Sequence, residues 1–127
     1  SLSIKTDSGY ANIICKLLKD DAFAVRQSII DNLPILVTKN SSKIKEAIND
    51  MFNCDDYQLR QTAISAVIKL NLFDEDGMKI IENAVKDPVS NVRYLLAEKI
   101  PKTDKKFDSI IKALKNDPDE DVRSIFD

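Results

Sequence analysis

Histidine and tryptophan are absent from this chain of 127 residues, and glycine and cysteine occur twice each. Without histidine, the side chain used most often for acid–base chemistry near neutral pH is missing. Two glycines do not make a phosphate-cradling loop, and no Ser-Lys or Cys-centred nucleophile motif is present. Cys15 and Cys54 lie far apart and lack metal-ligand spacing, so a zinc site would have to be completed by carboxylates. They read as reduced thiols beside apolar packing, as in an intracellular protein, cytoplasmic or nuclear. No apolar run approaches the ~18 residues of a membrane span, and no signal-peptide pattern opens the chain. Catalysis, a cofactor, a metal and a membrane are therefore not expected.

What is present favours helix. Leucine, isoleucine, lysine and alanine dominate, with 43% hydrophobic and 31% charged residues, the balance of a folded domain. The net charge of −2 gives no global pull toward nucleic acid or an acidic membrane. Ser1 stands where a methionine would open a complete chain, as expected of an excised or processed piece.

Lys86–Ile100, KDPVSNVRYLLAEKI, organises the rest. Asp87-Pro88 makes a turn, and Val92-Arg93 falls in the first turn of the helix that follows. The pattern recurs around Arg26, Arg60 and Arg123, so the arginines stand 34, 33 and 30 residues apart. Thirteen and twelve residues before them are Ile13-Ile14, Ala47-Ile48, Ile80-Ile81 and Ile110-Ile111. One before them are Val25, Leu59, Val92 and Val122; three after are Ile29, Ala63, Leu96 and Phe126. So many rows in one register predict an internal helical repeat.

The expected fold is all-α, a right-handed superhelix of about four helix pairs. Residues 1–8 are a tail or the end of a preceding repeat, and 9–127 form one domain with repeats at 9–41, 42–73, 74–103 and 104–127. Ile13, Ile14, Leu17 and Leu18 are expected inward in the first helix, and Val25, Ile29, Leu33 and Leu36 in the second, over 22–37, which Pro34 kinks or shortens. Ser42, Asp74 and Thr103 or Asp104 are candidate caps, and the last pair begins with a helix over 105–116.

Asp20, Asp87 and Asp117 stand six residues before their arginines, with Cys54 in that row of the second repeat. An acid ahead of a helix accepts backbone N–H bonds, and an arginine fork reaches carbonyls or an acid in the adjoining repeat. Asp20, Arg26, Arg60, Asp87, Arg93, Asp117 and Arg123 therefore read as a structural ladder rather than an anion-binding row.

The paired helices, the D-P-x-x-x-V-R signature and the near-33-residue period resemble HEAT repeats over about residues 9–127. Phe23–Val37 and Asp87–Ile100 are also similar to the C-terminal repeats of the scaffold (A) subunit of protein phosphatase 2A and to the HEAT regulatory subunit of protein phosphatase 4. The resemblance implies a scaffold that holds a phosphatase catalytic subunit on the ridge of turns within repeats: here Ala22, Phe23 and Ala24, then Tyr57 and Gln58, Ser90 and Asn91, Asp119 and Glu120. Phe23 falls where that family places a large aromatic contact, whereas Ala24 stands where it places an arginine.

The residues themselves also favour a protein partner. The row after the arginines is Gln27, Gln61, Tyr94 and Ser124, and the row five after them begins Asp31, Ser65 and Glu98, which is neutral to acidic. Phe23 and Tyr57 at turn tips are the expected anchors, since aromatics dominate interface energetics; their alternative is packing between turns. Lys39, Lys43 and Lys45, and Lys99, Lys102, Lys105 and Lys106, offer a second option, a helical repeat domain that binds the phosphates of a nucleic acid, but no Arg-aromatic interleaving accompanies them and solvated faces account for them. Asp117, Asp119, Glu120 and Asp121 lack the glycine and terminal glutamate of a calcium loop and read as a solvated, capping turn.

Overall fold

The computed structural model describes residues 8–38 and 40–127. Segment 1–7 and Lys39 of the first lysine cluster lie outside the described residues. The described chain is helical, with no strand among the described residues, in agreement with an all-α expectation. The helices are α1 (Ser8–Leu18), α2 (Phe23–Leu36), α3 (Ser42–Phe52), α4 (Tyr57–Lys69), α5 (Glu75–Ala84), α6 (Ser90–Lys99), α7 (Asp108–Lys115) and α8 (Glu120–Ser124), with a 3-10 turn at Lys105–Phe107 before α7. They group into two compact units, Ser1–Leu72 and Phe73–Asp127.

In the first unit, α1 pairs with α2 and α3 with α4; α1 also packs on α3, and α2 on α4. The two hairpins thus lie side by side as two helical layers. Leu18, Leu33, Ile44, Ile48, Ile64 and Val67 fill the space between them with almost no exposure, each contributing about 1.5–3 kcal/mol by leaving water. The unit closes on Asn71, the one non-glycine residue with positive φ (53°) among the described residues. Asn71 N–H returns to Ile68 O and Leu72 N–H to Val67 O at 2.9 Å, the paired bonds that finish a helix through a left-handed residue.

In the second unit, α5 packs on α6, α7 on α8, and α6 on both α7 and α8. Ile81, Leu96, Ile100, Phe107, Leu114 and Val122 form its core. Phe73 meets the buried Phe107 edge to face, with centroids 4.9 Å apart. Lys106 Nζ lies over both rings, and Lys102 Nζ over Phe126. Two members of the second lysine cluster are thereby engaged within the fold.

Several local expectations are corrected. Ile13 is 56% exposed and Leu17 half-buried, so the inner face of α1 is Ala11, Ile14 and Leu18. In α2 the buried row is Arg26, Ile30 and Leu33, continued by Val37 just past its end, while Val25, Ile29 and Leu36 are half-buried. Positions 26, 30, 33 and 37 keep helical period, but an arginine among them hides the stripe from a reading that counts charge as outward. Pro34 does not shorten α2, which runs to Leu36: Pro34 stands in the last turn, and Val37 N–H still reaches Leu33 O at 3.0 Å.

The cap of α3 is Ser41, accepting from Ile44 N–H, and Ser42 is already helical. Asp74 Oδ1 caps α5 through Gly77 N–H at 2.9 Å. At the last pair Asp104, not Thr103, accepts from Lys106 N–H, and the expected helix over 105–116 is a 3-10 turn followed by α7. Ser8 is the first helical residue of α1.

Candidate interaction site at the helix-pair turns

Each of the four arginines sits three residues inside the second helix of its pair and sends Nη1 back to the main-chain oxygen six residues before it. The distances are 2.6 Å for Arg26 to Asp20, 3.1 Å for Arg60 to Cys54, 2.7 Å for Arg93 to Asp87 and 2.7 Å for Arg123 to Asp117. Arg26 and Arg60 also reach the next carbonyl, of Asp21 and Asp55, at 3.0 Å. The turn is thus tied to its own helix by a charge-assisted bond to carbonyls that no helix uses.

The aspartates hold the other side of the turn. Asp20, Asp87 and Asp117 each accept, through Oδ1, the N–H two residues on, from Ala22, Val89 and Asp119. These Asx turns steer the chain into α2, α6 and α8. Asp56 and Asp119 then cap α4 and α8 through Gln58 and Asp121 N–H. Asp117 does more: its carboxylate also receives Arg93 Nε at 2.8 Å and Arg93 Nη2 at 3.2 Å. The side chains of this fork are 12% and 3% exposed, so the pair is shielded and two-pronged.

The second hairpin breaks the row. Cys54 takes the aspartate's place, and its Sγ faces Asp56 O at 3.6 Å. Arg26, of the hairpin before it, keeps its Nε and Nη2 without a hydrogen-bond partner among the described residues. Cys54→Asp would restore a carboxylate to that row. We expect the variant to be more stable by about 1 kcal/mol in urea unfolding; lower stability would put Arg26 out of reach of position 54. Cys15 is a separate case: it is half-buried, its thiol faces Lys43 O at 3.9 Å, and burial pushes it above the ordinary thiol range.

The candidate contact residues divide between the two units. In the first, Phe23 opens α2 and is 69% exposed, with the Arg26 guanidinium 5.8 Å from its ring. Ala22 and Ala24 beside it are exposed; Tyr57 is half-buried at the start of α4, next to exposed Gln58. Gln27 and Gln61 are half-buried, and Gln27 Nε2 is bonded to Asp31 Oδ1 one turn on, at 2.9 Å.

In the second unit, Ser90, Asn91 and Tyr94 of α6 face Asp119, Asp121 and Ser124 across a groove of about 280 Å³. Asp119 is half-buried by its capping role, Tyr94 is 37% exposed, and Ser124 Oγ donates to Asp121 O at 2.7 Å. The groove's two carboxylates, hydroxyls and amide suit a polar or basic protein segment, with the tyrosine ring as the apolar wall. Asp121 was visible in the sequence only as a turn acid. Its signal is register: Asn91 and Asp121 both stand two before an arginine, and Tyr94 and Ser124 one after, so packing α6 on α8 sets them opposite each other.

Among the described residues no helix is long and apolar enough to cross a membrane, and no group of acid or cysteine side chains is arranged to hold a metal ion. Comparison with protein-family models, curated proteins and solved structures finds no match to this chain.

Proposed function

We propose that the chain is a non-catalytic protein–protein interaction scaffold of the HEAT-repeat kind, its helix pairs stacking as a right-handed superhelix. The observation that carries this reading is the recurrent turn clamp, with each arginine tied to the oxygen six residues back. Four turns held alike are a framework for presenting side chains, and what they present is aromatic and polar: Phe23 in one unit, the Tyr94 groove in the other. The absence of histidine from the sequence agrees with a role without acid–base catalysis.

The narrower reading, a regulatory or scaffold subunit of a serine/threonine phosphatase of the 2A type, rests on the resemblance around Phe23 and is supported by that ring's exposure. Binding of a purified catalytic subunit of that class, followed by interferometry, tests it. Phe23→Ala, at an exposed site where the fold loses only the contact of the ring with Arg26, is expected to weaken binding at least about tenfold, the usual scale of an aromatic anchor. Tyr94→Ala tests the groove in the same way. No binding by the unmodified chain would remove the phosphatase reading and leave a scaffold for other proteins; binding indifferent to both substitutions would move the contact off both sites.

A further inference from the structure

The Arg93–Asp117 fork joins the arginine of one helix pair to the aspartate of the next. The chain carries both halves of that fork a second time, unjoined. Arg123, in the last helix, spends Nη1 on Asp117 O, as Arg93 spends its own on Asp87 O. Its Nε and Nη2, the edge with which Arg93 grips Asp117, have no partner among the described residues. Asp20, in the first turn, uses Oδ1 on Ala22 N–H, as Asp117 uses its own on Asp119 N–H. No partner among the described residues takes the Asp20 Oδ2. Both residues are half-buried, held in place by their own turns and open on one side.

We infer that the α7–α8 hairpin docks the α1–α2 hairpin of a second copy of this chain, Arg123 of one copy taking Asp20 of the other in the fork that Arg93 and Asp117 form internally. Three features favour this occupant. The donor and acceptor edges match in charge and are preorganised by the same bonds as the internal pair, so little rotamer freedom is lost on contact. The spacing from Asp20 to Arg26 equals that from Asp117 to Arg123, so the incoming turn has the shape of the one already accommodated. The first hairpin also leaves Ile13 and Ile35 exposed, at 56% and 69%, apolar surface that a docked hairpin removes from water. The contact is heterologous, joining different patches on the two copies, so it builds rings or open chains rather than a two-fold dimer.

Sedimentation equilibrium of the whole chain at low salt tests this, because screening weakens a partly exposed pair. The unmodified chain is expected to gain mass steadily with concentration. Asp20→Arg and Arg123→Asp each set like charges against each other and are expected to remain monomeric. An equimolar mixture of the two is expected to associate again, since Asp20 of one variant then meets Arg123 of the other. Asp20→Asn retains the bond to Ala22 N–H and loses the charge; it is expected to weaken association about tenfold while circular dichroism stays that of the parent. A parent chain that stays monomeric into the millimolar range overturns the proposal. So does a mixture that remains monomeric while both variants are folded, or association that ignores all three substitutions.

Discussion

Phe107→Ala is expected to cost about 3–5 kcal/mol, the largest single loss available outside the turns. Phe107 ends the 3-10 turn and has no exposed surface. Truncation removes the ring that Phe73 meets edge to face at 4.9 Å and one of the two rings under Lys106. Edge-to-face pairs carry about 0.5–1.5 kcal/mol beyond area alone, so little of the loss can be recovered by repacking. Set against a total stability of about 5–15 kcal/mol, the variant stands close to unfolding at room temperature. Urea titration followed at the helical circular dichroism band measures the loss directly. Phe107→Leu, which keeps most of the volume, should cost under about 1.5 kcal/mol. If alanine costs no more than leucine, the pocket around Phe107 collapses freely and the ring is not the support of the second unit.

Phe107 illustrates what sequence patterning reveals and what it conceals. The 105–116 segment reads as one helix because Ile110, Ile111 and Leu114 recur at helical spacing. Nothing in that spacing marks the tighter first turn, which arises because Asp104 accepts Lys106 N–H and so winds the chain before α7 begins. The helix pairs themselves were legible because two signals agree at three of the four turns: an acid that bonds the N–H two residues on, and an arginine six residues later whose stem lies along packed surface. The inner face of α2 was not legible, since Arg26 shares it with Ile30 and Leu33 and only the guanidinium's bonds to Asp20 and Asp21 oxygens explain a charge there. Likewise the groove at Tyr94 depends on α6 lying against α8. The register sets Asn91 beside Asp121 but carries no information on whether space remains between them.

Asp117→Ala is expected to remove the most from the turns. Three bonds end on this carboxylate: Asp119 N–H at 2.8 Å, Arg93 Nε at 2.8 Å and Arg93 Nη2 at 3.2 Å. Removing one partner of a shielded pair costs about 3–5 kcal/mol when the other charge is left buried. Arg93 retains some exposure and its bond to Asp87 O, so about 2–3 kcal/mol is the expected figure here. Asparagine is no safe substitute. Its oxygen can keep the bond to Asp119 N–H, but its amide then turns a donor toward the donor Arg93 Nε, so Asp117→Asn should fall nearer alanine than the parent. Lysine at 93 retains charge yet cannot present two parallel N–H groups, so Arg93→Lys should also lose most of the coupling. A double-mutant cycle across Arg93→Ala and Asp117→Ala isolates the pair, with an expected coupling of about 1.5–3 kcal/mol in urea unfolding. A coupling near zero would mean that the cap on Asp119, rather than the fork, accounts for the cost of Asp117→Ala. The second copy of the fork proposed for Arg123 and Asp20 would then lose its energetic precedent within the fold.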